Sequence, residues 1–443
     1  MRRILMPVLL ITILFVACTS SNQKKATQKE VSAETFTNDG TWCWFSNPRA
    51  VYYNNDKLIT GWVKKDGSVE AASLDLTSGE KQFKILFPQL EIDDHDNPAF
   101  TILPNGNVLA MYTWHSTKKG VLMNTTTNGG DISSFGESIT FKPTSEALLE
   151  RFPRETYTYA NPFVLSEENN KLFVFGRWTG FKPNLIVSDD NGQSWSEKYV
   201  IVSDNPFTPD NRPYVNYYSD GKSKIHMIFT DGHPRNEPLN SVYYCYYENG
   251  AFWKVDGSKI CKLDELPFEP KDASVVYKAT EETGRSWIAD IVVKDGQPVI
   301  LYSRHPEETD HRYRYAWYNA EEGNWIDHEI CKAGRWFPQT PEGEVEREPH
   351  YMGNLTFDPA NPETVYLSRQ INGRFEIEKH VTSDGGENWK ITPITSNSTY
   401  DQVRPYVPRN KSADAKTVVM WMENKKYIHY TDYDTSIKYF IDE

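Results

Sequence analysis

Sustained helical periodicity is missing from these 443 residues. Only residues 144–151 offer a turn or two with apolar positions at helical spacing. Mostly-α and alternating α/β architectures are thereby excluded. Long apolar runs are equally scarce, and beyond residue 17 nothing is apolar enough to cross a bilayer as a helix. Cysteine is rare, with 5 in the chain. No dense disulfide framework holds the fold, although Cys43, Cys245, Cys261 and Cys331 leave room for two bridges in an oxidising compartment. Positive charge is in deficit: 48 Lys and Arg stand against 61 Asp and Glu, a net charge of −13. Nucleic acid is therefore an unfavourable partner. An acidic polysaccharide would need a local basic patch.

What is present begins with a secretory pattern. Arg2 and Arg3 precede a short apolar run, Ile4 to Val16, too short to span a membrane. It ends Phe15-Val16-Ala17-Cys18, which resembles the lipobox of bacterial lipoproteins and implies acylation at Cys18. The expected layout is a signal peptide over 1–17, a polar tether over 18–37 and one catalytic domain over 38–443. The expected location is the cell envelope, held by the lipid anchor alone. Aromatic residues make up 14% of the chain, with 26 Tyr and 13 Trp. Flat rings with a polar handle suit sugar surfaces.

A repeat recurs seven times: apolar strand, a turn rich in Asp, Asn, Gly or Pro, then a second apolar strand. The units run over 47–63, 97–114, 161–178, 212–230, 289–304, 349–369 and 404–422. Each is followed by further strand-like sequence. Four strands in each of seven repeats predict an all-β, seven-bladed β-propeller in a single domain. Residues 188–195, SDDNGQSW, fit the Asp-box pattern, as do 382–389, TSDGGENW. Residues 126–133 are a decayed copy. An Asp-box is a structural turn between outer strands of a blade. The last blade is expected to close by pairing the two ends, near 41–45 and 427–440.

In an antiparallel hairpin the start of the first strand and the end of the second share an edge. Residues at those positions gather on one face around the propeller axis. They include Asp94, His95, Tyr157, Tyr159, Arg212 and Arg347 before first strands. After second strands come His115, Arg177, Asp231, His233, Arg304, His305 and Arg369. This convergence supplies the basic patch that the net charge withholds. No close pair of carboxylates stands out, as acid–base glycoside hydrolysis would require. His, Tyr and Arg together suit β-elimination from a uronic acid. Arg or protonated His neutralises the uronate carboxylate, without which the C5 proton is too weakly acidic, and His and Tyr move protons.

Five stretches carry a resemblance along most of the chain: GTWCWFSNPRAVYY, DDHDNPAFTILPNGNVLAMYTWHS, TYTYANPFVLS, RPYVNYYSDGKSKIHMIFTDGHPRN and EPHYMGNLTFDPANPETVYLSR. They resemble the BNR-repeat propellers that include the ulvan lyases of marine bacteria. That resemblance implies β-elimination between 3-sulfated rhamnose and a uronic acid, leaving an unsaturated uronate. It implies paired active-site histidines at His95 and His115, a catalytic Tyr159 and a carboxylate-facing Arg177. Arg212 and Tyr214 would contact substrate, with Tyr217 close by. Which of His95 and Tyr159 is base and which acid stays open. The resemblance also implies a structural zinc, with His233, Cys245 and Cys261 as ligands, and no catalytic cofactor. A sister group, α-L-rhamnosidases, uses a His on the opposite face, just before the first propeller strand. Here residues 45–48 read Phe-Ser-Asn-Pro, without a His. The expected partner is an anionic polysaccharide substrate, and the protein is expected to act as a monomer.

Overall fold

Short β-rich segments punctuated by tight turns leave the chain one economical solution, a ring of small twisted sheets. The computed structural model describes residues 33–143, 145–307, 309–336 and 352–442. It forms a seven-bladed β-propeller whose blades are antiparallel sheets. Blade 1 holds Ala50–Asn54, Lys57–Val63, Val69–Asp75 and Lys81–Phe87. Blade 2 holds Ala99–Ile102, Val108–Thr113, Val121–Thr125 and Ile139–Phe141. Blade 3 holds Asn161–Leu165, Lys171–Arg177, Pro183–Ser188 and Tyr199–Val200. The first three strands of blade 4 are Val215–Ser219, Lys224–Thr230 and Val242–Glu248. Its outer edge is divided, because Ala251–Trp253 and Ser274–Tyr277 both pair with Val242–Glu248. Blade 5 comprises Arg285–Lys294, Gln297–Glu307, Asp310–Asn319 and Asn324–Gly334, and blade 6 Leu355–Asp358, Asn361–Ile371, Arg374–Val381 and Lys390–Pro393. The one α-helix among the described residues is Glu146–Arg151, capped by the Ser145 side chain on the Leu148 N–H.

Blade 7 closes the ring. The C-terminal segments Asp401–Tyr406, Thr417–His429 and Asp432–Asp442 supply three strands, and Glu34–Thr37 adds the outermost. Closure by the two ends is as expected, but the N-terminal partner is 34–37 rather than 41–45. Residues 34–37, expected as part of a polar tether, thus belong to the propeller. Their single aromatic explains why: Phe36 is buried against Trp62 and Tyr439.

The core is layered between blades. Val51, Ile59 and Val69 of blade 1 meet Phe100, Val108 and Tyr112 of blade 2. Phe163, Phe173 and Phe175 of blade 3 meet Tyr217, Met227 and Phe229 of blade 4. The Asp-boxes serve these layers. Ser188 Oγ donates to Asp190, whose carboxylate accepts the Ser194 N–H, and this turn sets Trp195 on Phe141 of the preceding blade at 4.8 Å. Thr382, Asp384 and Asn388 repeat the bonding, and Trp389 reaches Tyr315 of blade 5.

Candidate active site

The loop before the first strand of blade 2 is a short 3-10 turn, Asp94–Asp96, capped by the Asp93 side chain on the His95 N–H. The turn holds His95 at the mouth of the axis. Asp93 does more than cap. Its Oδ1 lies 2.7 Å from His95 Nδ1, and its Oδ2 lies 2.8 Å from Nδ1 of His115, which follows the second strand of the same blade. The two imidazoles stack, with centroids 3.9 Å apart and planes 11° from parallel. Tyr430, from blade 7, sets its ring against the edges of both. The His95 and His115 side chains keep 13% and 15% of their surface open, whereas Asp93 keeps 4%. The rings can meet a substrate and the carboxylate cannot.

Tyr159 stands beside this pair, its ring 5.8 Å from His95. Its backbone is left-handed, φ 65°, a conformation that disfavours side chains and is frequent at functional sites. The Trp178 indole N–H donates to the Tyr159 carbonyl, and the Cys43 thiol lies 3.9 Å from the Tyr159 hydroxyl. Arg177 ends the second strand of blade 3 and lies 5.1 Å from the ring centres of both Tyr159 and Tyr214. It is buried, yet its Nε and Nη1 have no hydrogen-bond partner. Arg212 also has an unpartnered buried Nε. Phe181 gathers the guanidiniums of Arg154, Arg177 and Arg212 at 3.7, 4.6 and 5.4 Å. Phe45 packs on Tyr214 from the ring's centre.

The environment separates these groups by proton affinity. Burial pulls His115 down to about 4, aided by the charges of His95 and Arg177. Burial also opposes protonation of His95, but the sulfur of Cys43 and the carboxylates of Asp93 and Asp94 overcome it and raise His95 well above its ordinary value. Tyr159 is pushed well up by burial and by Cys43, so it remains a phenol. Burial would raise Tyr214 as well, but Arg177, Arg212 and His95 outweigh it and bring Tyr214 below its ordinary value. A neutral imidazole, a held phenol and an open buried cation now share one locus. A cavity of about 510 Å³ lies elsewhere, at the opposite mouth among first-hairpin turns such as Pro104, Asn170, Gly221 and Ser412. No histidine lines it. Proton transfer needs shifted acids and bases, and those gather at the His95 end.

The structure thus brings together His95, His115, Tyr159, Arg177, Arg212 and Tyr214. Tyr217 instead packs into the layer between blades 3 and 4, against Phe175 at 4.6 Å. Other expected members are absorbed structurally. Arg304 and Arg369 lie within longer strands than foreseen, paired with Asp327 and Glu378. His305 is buried against Ser303 Oγ, and Asp231 accepts from Tyr243 and the Ser241 N–H. The cationic patch therefore belongs to blades 2 to 4. Ser46 is not on the opposite face: its hydroxyl donates to the His95 carbonyl at 3.3 Å. Cys18 and Arg347 lie outside the described residues.

The residues expected to hold zinc do not converge. His233 packs its ring on Trp287 at 4.6 Å and on Tyr214 at 5.3 Å. Cys245 sits mid-strand, opposite Met227, in the layer between blades 3 and 4, with Cys261 packed against that layer. Burial raises both thiols, Cys261 to about 11. Among the described residues, three metal-capable side chains close within 4.8 Å only at Cys43, Asp94 and His95, and at Asp93, His95 and His115. The four cysteines described are free thiols. A zinc held by His233, Cys245 and Cys261 does not fit this arrangement.

Sequence reasoning passed over Asp93, and over Cys43, Trp287, Arg404 and Tyr430, which line one small cavity with His95, Tyr159 and Tyr214. Asp93 carried a signal, since it opens the same Asp-Asp-His-Asp run that offered His95. Tyr430 carried none, because it reaches the site from the far end of the chain.

This is a propeller carrying an imidazole–phenol–guanidinium site at one mouth of its axis. The family model described as a BNR repeat-containing family member matches residues 58–333, more than half the chain, and the chain belongs to that family. No curated protein matches it by sequence. Among solved structures it is similar to a PL25 ulvan lyase bound to -[GlcA(1-4)Rha3S]-, with TM-score 0.66 and 13% identity over 94% of this chain and 96% of that one. It is also similar to the polysaccharide lyase Uly1, with TM-score 0.56 and 12% identity over 92% and 97%. At such identities the likeness is one of fold.

Proposed function

We propose that this protein is a polysaccharide lyase that cleaves a uronate-containing, sulfated polysaccharide, ulvan above all, by β-elimination. The observation that carries the reading is Arg177, a buried guanidinium with open donors between Tyr159 and Tyr214, beside two histidines. A buried cation without a counter-ion is costly unless a ligand anion completes it. A uronate carboxylate is such an anion, and its neutralisation makes the C5 proton acidic. In the step, a histidine Nε2 takes the C5 proton. The C–H electron pair becomes the C4–C5 double bond, the C4–O bond breaks, and the Tyr159 hydroxyl protonates the departing oxygen. No oxidant, water or metal enters the balance. The fold-level likeness to an ulvan lyase bound to a glucuronate–sulfated rhamnose chain supports the choice of polymer.

The test is a panel of uronate polysaccharides followed by ultraviolet absorbance of the unsaturated uronate. Ulvan should yield the chromophore together with new chain ends. New ends without the chromophore would mean hydrolysis, and binding without new ends would mean a glycan-binding protein; either outcome sinks the lyase reading. Lipid anchoring through Cys18 is part of the same proposal, supported by the basic and apolar N-terminal run that precedes it. A Cys18→Ser protein that still incorporates fatty acid would refute it.

A further inference from the structure

The two histidines are chemically alike in sequence, and the fold makes them unlike. His95 Nδ1 faces two carboxylates, Asp93 at 2.7 Å and Asp94 at 3.2 Å, and His115 Nδ1 faces Asp93 alone at 2.8 Å. A carboxylate held ionised can only accept, so each Nδ1 must carry a hydrogen. Asp93 is held ionised: burial opposes this, but both histidines outweigh it. Each Nε2 is then the ring nitrogen left to change its proton.

We propose that Asp93 is a positioning residue that fixes both imidazoles as Nδ1–H donors and places the pair's single extra proton on His95, leaving His115 Nε2 as the basic lone pair. Two imidazolium rings stacked at 3.9 Å would repel, so the pair carries at most one extra proton, and the carboxylates of Asp93 and Asp94 at the Nδ1 atoms favour that one. The groups around each ring decide where it sits. His95 has Asp93, the second carboxylate Asp94, the thiol of Cys43 and the phenol of Tyr159 around it. His115 has Asp93, Glu91 on its backbone N–H, the cation of Arg177 and the ring of Tyr430. His429 lies against Tyr430 with ring centroids 3.7 Å apart, and Asp96 is raised well above its ordinary value by burial and by Asp93 and Glu91. Arg404 pairs with Asp94 at 2.6 Å, yet His95 Nδ1 still faces two carboxylates where His115 Nδ1 faces one and feels the cation of Arg177. Tertiary placement alone thus separates the two roles. One carboxylate bridging two rings settles both tautomers, as the buried Asp does for one ring in a serine-protease triad.

This inference rests on the lyase reading only for what the lone pair does; the proton placement can be measured without substrate. The probe is nitrogen NMR of the full-length protein carrying ¹⁵N-labelled histidine, with the rings assigned from His95→Gln and His115→Gln spectra. Near neutral pH, His95 should show two protonated ring nitrogens, and His115 should show a protonated Nδ1 and a bare Nε2. Two rings in the same protonation state, or a bare Nδ1 on His115, would overturn the proposal. Asp93→Asn offers one acceptor oxygen, and its amide donors force the other ring into the Nε2–H form. One tautomer should flip, and kcat on a cleaved polymer should fall about 10²-fold or more with KM little changed. A variant that folds with both Nδ1–H signals intact overturns the idea. If it fails to fold, titration of the wild type decides: His115 should stay neutral down to about pH 4, and protonation of His115 before His95 would refute the assignment. A wild type that cleaves no polymer refutes the lyase reading and leaves the tautomer result standing.

Discussion

Arg404 and Asp94 form an ion pair buried at the centre of the propeller, with Nη1 2.6 Å from Oδ2, although 310 positions separate them in the chain. The guanidinium also donates to the Trp42 carbonyl and to the Tyr427 hydroxyl. Blade 7 is thus tied to the loop that carries the paired histidines. Removing the cation strands a carboxylate that is almost wholly buried. Arg404→Ala should cost about 3–5 kcal/mol of stability, read by urea unfolding. A loss below about 1 kcal/mol would mean that the pair is not closed in solution.

Tyr159→Phe removes one hydroxyl and keeps the ring packed against Phe45 and His95. Folding should survive, and production of the unsaturated uronate should fall about 10²- to 10⁴-fold. Arg177→Ala should be at least as damaging, with about 3 kcal/mol or more lost from transition-state stabilisation. Arg177→Lys should recover only part, because a point charge cannot replace a planar fork. Near-full activity of Tyr159→Phe at unchanged melting temperature would misplace the acid.

Stability should fall steeply with acid. His226 and His311 are buried and held down to about 4 by that burial, against an ordinary value of 6.5. The unfolded chain takes up these protons near pH 6.5 and the folded chain only near 4. Their contribution is present above pH 6.5 and is lost as pH drops through that window. Each represents roughly 3 kcal/mol at about 1.4 kcal/mol per unit. His233 and His305 are lowered in the same direction, while His95 is raised and opposes them, its own contribution fading as pH rises. Melting temperatures from pH 7 to pH 4 should decline. A flat profile would show that these rings titrate normally.

Ring closure should depend on Phe36. It is the aromatic anchor of the four-residue N-terminal strand, packed on Trp62, Phe83 and Tyr439. Phe36→Ala should cost about 3–5 kcal/mol, whereas Phe36→Leu should retain most of the stability. Equal melting temperatures for the wild type and Phe36→Ala would show that the strand is dispensable.

Alternation, turn residues and recurrence are local properties, and they were enough to count seven blades and to place His95, His115, Tyr159, Arg177 and Arg212 at shared edges; Tyr214 came only with the family resemblance. Where local rules ended, expectations slipped. Arg304 and Arg369 looked like site cations until longer strands carried them to Asp327 and Glu378. Glu34–Thr37 looked like tether because one Phe in a polar run is a weak signal until a distant strand offers it an edge.

The sequence by itself determined an all-β propeller, because strand period and turn chemistry act between near neighbours. Only the tertiary structure decided which charges stay open and which are neutralised. That depends on partners far apart in the chain, such as Asp94 with Arg404 and Cys43 with Tyr159. It also decided that His233 lies against Trp287 while Cys245 sits in another layer. Coulomb energies and burial act through space, so proton affinities at this site exist only once the ring has closed.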